Sequence, residues 1–214
     1  MKPNVVQKRR RKMNEKKKTI NVRNLATAAM LSALAFVLMY FEIAIPVMPS
    51  FVKFDFSDLP ALLGAFALGP VYGIVIELVK NLLHMAFSQS MFIGELSNFL
   101  LGAVFAFVAG FIYKKNKTKK SAVIGGIAGA VVMGLISVVT NYFIVYPVYV
   151  QAFFGGDESI CVAMYQAIAP SMKSLIQCLI CFNLPFTIVK GLISVIITRF
   201  IYKPLSPILK GRHA

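Results

Sequence analysis

Four segments of this sequence carry polar residues at helical spacing inside long apolar stretches. Residues three, four, seven or eleven positions apart lie on one face of a helix. The four stripes are Glu77, Lys80, Asn81 and His84; Glu95 and Asn98; Ser137, Thr140 and Asn141; and Asn183, Thr187, Lys190 and Ser194. Amides, hydroxyls and a few charges bind small molecules through hydrogen bonds, and polar groups among apolar helices face protein or a cavity. We therefore expect the four stripes to converge on one ligand-binding cavity.

Each stripe also has a structural explanation. Lys190 is the hardest to explain in this way, because a lysine at the centre of a membrane helix costs about 2.5–3.5 kcal/mol. No Asp or Glu lies within thirty residues of it along the chain, so we expect its ammonium to line the cavity and bond oxygen atoms of a ligand. The structural alternatives left open are an intrahelical pair of Glu77 and Lys80, an interfacial role for His84, and interhelical hydrogen bonds from Asn141 and Asn183.

The residue patterns of common enzymes and metal sites are missing from the sequence. It contains no G-x-x-x-x-G-K-[ST] phosphate-binding loop, and its two histidines, His84 and His213, form no H-E-x-x-H motif. Cys178 and Cys181 have C-x-x-C spacing but stand in an apolar helix without further ligands, so we interpret them as packing residues. We expect neither a metal site nor an enzyme.

The composition places the stripes in a membrane protein. Of the 214 residues, 58% are hydrophobic and 14% are charged, and a soluble domain of this size could not bury so much apolar surface. The formal net charge is +15, and the basic residues concentrate at 1–23, 114–120 and 199–212. Basic blocks beside apolar segments are typical of the cytoplasmic face of a membrane protein, which we favour over a nucleic-acid-binding arm.

The apolar segments predict the membrane topology. About 20 residues cross the hydrocarbon core, and four segments fit this length: 25–45, 94–113, 121–145 and 177–201. The stretch 58–87 is too long for one straight span, and we expect the Gly-Pro pair in "LGPVYG" (68–73) to turn it back as two. An even number of spans then separates the first two basic blocks, as a shared cytoplasmic side requires.

The sequence therefore predicts an all-α integral membrane protein, a six-transmembrane-helix bundle with cytoplasmic N and C termini. Its parts would be a basic cytoplasmic tail over residues 1–24, the six-helix membrane domain over 25–201, and a cytoplasmic tail over 202–214. The segment "PVMPSFVKFDFSD" (46–58) holds three phenylalanines among charged residues. We expect part of it to enter the membrane at the outer side and to close over a ligand as a lid.

Three segments resemble the substrate-binding S components of energy-coupling factor (ECF) vitamin transporters, most of all the riboflavin-specific members. They are "FDFSDLPALLGAFALGPVYGIVIELVKNLLH" (54–84), "GELSNFLLG" (94–102) and "PFTIVKGLIS" (185–194). The similarity runs over residues 22–205 and includes the A-x-x-x-A pair of Ala29 and Ala33 in the first predicted span.

The resemblance implies a high-affinity riboflavin-binding subunit of an ATP-driven importer in the bacterial plasma membrane. Such a subunit captures riboflavin on the outer side and delivers it inward with a transmembrane coupling protein and two cytoplasmic ATPase subunits. Riboflavin would be the transported ligand, not a cofactor. Two alternatives stay open: an S component for another vitamin or precursor, and a membrane-embedded enzyme that uses Glu77 or Glu95 as an acid or base.

The resemblance also assigns residues. By position, the family's flavin-binding asparagine and its P-F-N-x-x-K-like motif correspond to Asn141 and to Thr187 with Lys190, and Thr187 replaces the amide by a single hydroxyl. Ala29 and Ala33 would contact the coupling protein. The stripes, the lid and the resemblance together give the expected ligand-binding set: Asn141, Thr187, Lys190, Asn98, Glu95, Lys80, Asn81, Phe51 and Phe56.

Overall fold

The computed structural model describes residues 22–49 and 51–210, most of which are helical. The helices are α1 (Val22–Met39), α2 (Asp58–Ala67), α3 (Pro70–His84), α4 (Ile93–Lys115), α5 (Lys119–Thr140), α6 (Tyr146–Phe153), α7 (Glu158–Gln166), α8 (Leu175–Cys178) and α9 (Leu184–Lys210). A 3₁₀ turn, Met85–Phe87, follows α3. Two π-helical segments join α5 to α6 and α8 to α9: Asn141–Val145 and Leu179–Asn183. Two short strands, β1 (Ile43–Ala44) and β2 (Lys53–Phe54), pair antiparallel.

Five helices within the described part of the chain are long and apolar enough to cross a membrane. They are Val22–Met39, Pro70–Phe87, Ile93–Lys115, Lys119–Phe154 and Leu175–Leu205. The shorter apolar helix α2 has 10 residues, about 15 Å at 1.5 Å per residue, which is half of the hydrocarbon thickness. A sixth complete span is therefore not formed by α2 alone.

The ends of two predicted segments differ from the structure. The first span, predicted over 25–45, ends at Met39, because the chain then bends into the β1–β2 hairpin. The last helix continues past the predicted end at residue 201 to Lys210. Most of the predicted tail over 1–24, and residues 211–214 of the predicted tail over 202–214, lie outside the described residues.

The predicted break in 58–87 is a tight turn between α2 and α3. Gly69 has φ +120°, a conformation that side-chain-bearing residues rarely adopt, and Pro70 begins the next helix. The two helices then run antiparallel at close range: a Cβ atom on Gly73 would lie 2.9 Å from the Cβ of Ala65. The stretch thus forms a helical hairpin and not a kinked single helix.

The α2–α3 turn and the α4–α5 turn lie at the same end of the bundle. The ring of Phe66, near the end of α2, lies 4.9 Å from that of Tyr113 on α4, and Tyr113 in turn lies 6.3 Å from Tyr202 on α9. Because residues 114–120 carry five lysines, we call this the basic end. Helices α3, α4, α5 and α9 all extend from it toward the first loop, residues 40–57, which we call the cavity end.

Candidate ligand-binding site

A cavity of about 570 Å³ opens at the cavity end of the bundle. Its wall combines the end of α1, the first loop, the α3–α4 connection, the first turns of α4, the second half of α5, both π-helical segments, α6 and the beginning of α9. This volume is within the range of small-molecule sites. All four predicted polar stripes reach the cavity, through His84, Glu95, Asn98, Asn141, Asn183, Thr187 and Lys190.

Six of the nine expected ligand-binding residues line this cavity. They are Phe51, Glu95, Asn98, Asn141, Thr187 and Lys190. Lys80, Asn81 and Phe56 are not part of the wall. Asn81 is buried and donates to the backbone oxygen of Glu77, and Phe56 packs edge-on against Phe54 at 5.0 Å. Their expected contact with a ligand is therefore not supported by their positions.

Lys80 is not in the cavity wall, and three side chains from the first loop, α2 and α3 surround its ammonium. Its Nζ donates to Asp58 Oδ1 and to Ser57 Oγ, both at 2.7 Å, and lies 2.8 Å from Glu77 Oε2. Its side chain is fully buried. The intrahelical pair of Glu77 and Lys80 left open from the sequence is present, although neither Glu77 carboxylate oxygen makes a well-aligned hydrogen bond within the described residues.

Lys190 lies in the cavity wall, but it is paired with two carboxylates. Its Nζ donates to Asp55 Oδ2 at 2.9 Å and lies 3.2 Å from Asp58 Oδ2. The partner Asp55 is 135 positions away in the sequence, so the residues neighbouring Lys190 in the chain give no sign of it. The acidic pair in "FDFSD" (54–58) was the available signal. An ammonium carries three hydrogens and two carboxylates face this one, so one hydrogen remains for a ligand in the cavity.

Asp58 joins the two lysines into one buried network. Its Oδ1 accepts from Lys80 on α3, and its Oδ2 faces Lys190 on α9. Asp55 is fixed locally as well, because its Oδ1 accepts the backbone N–H of Ser57 at 2.7 Å. The segment from Asp55 to Asp58 is therefore fastened to two helices by buried ion pairs, and removing one member of a buried ion pair is costly.

Glu95 organises the α3–α4 connection on the other side of the cavity. Its carboxylate accepts hydrogen bonds from Ser88 at 2.8 Å and from Ser90 at 3.1 Å, and it lies 2.9 Å from His84 Nδ1. The chain between these residues includes Met91 and Phe92, both with positive φ. Three side-chain partners in one short connection give Glu95 a role in shaping the cavity rim.

The first loop, which the sequence predicts to act as a lid, contributes Phe51, Val52 and Lys53 to the cavity wall. Phe51 packs against the rings of Tyr149 at 5.0 Å and Tyr146 at 5.8 Å. The β1–β2 hairpin is closed by an exposed ion pair between Lys53 and Glu42, 2.5 Å apart. These contacts bring aromatic rings from the loop and from α6 to the same side of the cavity.

Ala29 and Ala33 are exposed on α1, away from this cavity. The neighbouring side chains Met30, Leu34 and Val37 are exposed as well. The surface of α1 that carries the A-x-x-x-A pair is therefore open to lipid or to a second protein.

The sequence and fold match known transporter components. Residues 23–202 match the family model described as "ECF transporter, substrate-specific component". The chain is 38% identical over 201 residues to the riboflavin transporter RibU of Staphylococcus aureus strain TCH60, covering 94% of this chain and 97% of that protein. It is 29% identical to the riboflavin transporter FmnP of Bacillus subtilis strain 168, covering 91% and 98%.

A solved structure shares the fold. It is described as the S component of a bacterial ECF transporter and superposes with a TM-score of 0.70 at 36% identity, covering 89% of this chain and 99% of that one. The long apolar helices agree with this likeness, and the protein is a multi-pass helical membrane protein. The chain belongs to the family of substrate-specific components of ECF transporters.

Proposed function

We propose that this protein is the high-affinity riboflavin-binding subunit of an ECF-type, ATP-driven vitamin importer. The proposal rests on the cavity of about 570 Å³, together with the similarity of this chain to proteins named riboflavin transporters. Its wall joins aromatic rings with amide, hydroxyl and ammonium groups. Riboflavin has a flat ring system with carbonyl and ring-nitrogen acceptors and a polyhydroxyl chain, which require this combination.

The expected contacts with riboflavin are of two kinds, aromatic stacking and hydrogen bonds. Phe51, Tyr146, Tyr149 and Phe186 supply aromatic surface for the ring system, and Asn98, Asn141, Thr187 and Lys190 supply hydrogen bonds. Asp55 and Asp58 neutralise the ammonium of Lys190, so the lysine acts as a fixed donor and adds little net charge. An uncharged ligand with several acceptors suits this wall.

The proposed topology has six membrane passages, with both termini in the cytoplasm and the cavity open to the outside. The five lysines of residues 114–120 support this sidedness, because they lie at the end of the bundle opposite the cavity. Helix α2 would complete the sixth passage together with part of the first loop, which enters the outer half of the membrane. The membrane would be the bacterial plasma membrane.

The energising partners would be a transmembrane coupling protein and two cytoplasmic ATPases. The sequence has no phosphate-binding loop of its own, and the family to which it belongs is the substrate-specific part of a larger transporter. The exposed Ala29 and Ala33 on α1 offer the coupling protein a surface for close helix packing. The chain would release riboflavin chemically unchanged, as a transported ligand and not as a cofactor.

The test is a titration of riboflavin into the purified protein in detergent, followed by flavin fluorescence. We expect saturable quenching near one riboflavin per chain, and recovery of unmodified riboflavin after denaturation. Absence of quenching by a protein with intact helical circular dichroism would refute riboflavin as the ligand and turn the search to other vitamins. A chemically altered flavin would instead indicate an enzyme.

A further inference from the structure

A closed cycle of hydrogen bonds joins three buried side chains beside the cavity. The hydroxyl of Tyr165 donates to Asn183 Oδ1 at 2.5 Å, the hydroxyls of Tyr146 and Tyr165 are 2.5 Å apart, and Asn183 Nδ2 lies 3.4 Å from the hydroxyl of Tyr146. Their exposed fractions are 0% for Tyr165, 3% for Tyr146 and 5% for Asn183. Tyr146 and Asn183 line the cavity, whereas Tyr165 supports them from α7.

The distances fix which atom of the Asn183 amide faces Tyr165. A separation of 2.5 Å is within the range of O–H···O hydrogen bonds and below that of N–H···O hydrogen bonds. The amide oxygen therefore faces Tyr165 and accepts its one hydroxyl hydrogen. Tyr146 must then donate to Tyr165, and it accepts from the amide nitrogen of Asn183.

This assignment of donors and acceptors leaves Asn183 with one N–H group that can donate into the cavity. The amide nitrogen carries two hydrogens, of which the cycle uses one. The amide oxygen is occupied by a short bond to a fully buried hydroxyl. Asn183 lines the cavity with one N–H available, so it can donate a hydrogen bond to an acceptor on a ligand.

The local backbone explains why this side chain reaches the cavity. Asn183 is the last residue of the π-helical segment Leu179–Asn183, and α9 begins directly after it. A π-helical turn shifts the following residues around the helix and is frequent at functional sites. Thr187 and Lys190 follow on the same face, four and seven residues later, so Lys190 stands about 10 Å along the helix axis from Asn183.

We propose that Asn183 is a ligand-binding residue that donates a hydrogen bond to an acceptor on the flat ring system of the ligand, and that Tyr165 is the positioning residue that orients its amide. The aromatic side chains Phe51, Tyr146 and Tyr149 pack together beside this position, which is why the ring system and not the polyhydroxyl chain lies against Asn183. The inference rests on the proposed binding of riboflavin.

The test measures riboflavin and lumiflavin affinities for the full chain and three variants in detergent: Asn183→Ala, Tyr165→Phe and the double variant. Loss of one buried hydrogen bond predicts about tenfold weaker binding by Asn183→Ala and about threefold weaker binding by Tyr165→Phe. Because Tyr165 acts through Asn183, the double variant should bind like Asn183→Ala alone. Lumiflavin, which has the ring system but no polyhydroxyl chain, should lose affinity by the same factors.

Tyr113→Phe is the matched control, since Tyr113 is a buried tyrosine at the basic end and its change should leave affinity unaltered. Independent, multiplying losses from Asn183→Ala and Tyr165→Phe would show that Tyr165 is merely structural and overturn its positioning role. Loss with riboflavin but not lumiflavin would overturn the assignment to the ring system.

Thermal unfolding of every variant separates binding from folding. If Asn183→Ala does not fold, the riboflavin affinity of Tyr165→Phe tests the proposal. An affinity lower than that of Tyr113→Phe supports the proposal, and an equal affinity overturns it. A wild-type chain that binds no riboflavin would refute the proposed function itself. Wild-type binding with an unaffected Asn183→Ala would refute only this inference.

Discussion

Replacing Lys190 by Met separates two roles that the structure gives this lysine. Its ammonium binds Asp55 at 2.9 Å and Asp58 at 3.2 Å, and it also lines the cavity. The methionine removes the charge while keeping an unbranched side chain of similar length. It leaves Asp58 with Lys80, whereas within the described residues Asp55 keeps the backbone N–H of Ser57 and no cation at hydrogen-bond distance.

The two effects have different expected sizes. Leaving a buried carboxylate without its cation costs about 3–5 kcal/mol, and we expect the lower end because the Lys190 side chain is partly exposed to the cavity. Loss of a charged hydrogen-bond donor to the ligand corresponds to about 1.5–3 kcal/mol, or about ten- to a hundredfold weaker riboflavin binding. Membrane insertion should be unaffected.

The assay combines riboflavin titration with thermal unfolding, and the double variant Lys190→Met/Asp55→Asn is the control. Removing the orphaned charge of Asp55 should recover most of the lost stability, but not the affinity. If the double variant regains wild-type affinity, Lys190 acts only by holding the loop through Asp55. If Lys190→Met binds riboflavin as tightly as the wild type, the lysine is structural and the reasoning about ligand contact is refuted.

Three further predictions follow from the buried contacts and from α1. Lys80→Met should destabilise the protein by about 3–5 kcal/mol, since Lys80 is fully buried among three partners; a melting temperature equal to that of the wild type would contradict this. Gly102→Ala should lower the melting temperature, because a Cβ there would overlap the carboxylate of Glu77, and Gly102→Ala combined with Glu77→Ala should recover part of the loss. Replacing Ala29 and Ala33 by Leu should leave riboflavin affinity in detergent unchanged while reducing ATP-dependent uptake in cells that express the whole transporter; unchanged uptake would argue against α1 as the docking surface.

Local sequence signals predicted the elements that depend on neighbouring residues. The Gly69–Pro70 break was visible because glycine and proline have strong backbone preferences. The convergence of polar stripes was visible because charges and amides among apolar residues must face a cavity or each other. Asn141 and Lys190 both line the cavity for that reason.

Contacts between residues that are distant in the sequence could not be predicted from helical spacing. The partner of Lys190 is Asp55, which no helical spacing connects to it. Lys80 shares a helical face with His84, yet it is buried by Ser57 and Asp58 from a different segment. The hydrogen bond between Tyr165 and Asn183 requires the fold of α7 against the π-helical segment, and no periodicity in the sequence marks it.

The carboxylates of Asp55 and Asp58 hold the first loop through buried ion pairs, and ionic strength should affect these pairs less than the surface pair of the hairpin. Those carboxylates are buried against Lys190 and Lys80, where dissolved ions screen an interaction weakly, whereas Glu42 and Lys53 form their pair at the surface and are screened strongly. Added salt should therefore weaken the Glu42–Lys53 pair of the β1–β2 hairpin and leave the buried pairs of Asp55 and Asp58 intact. The rate at which a ligand enters and leaves should rise with salt, while the geometry of the wall behind the loop stays constant.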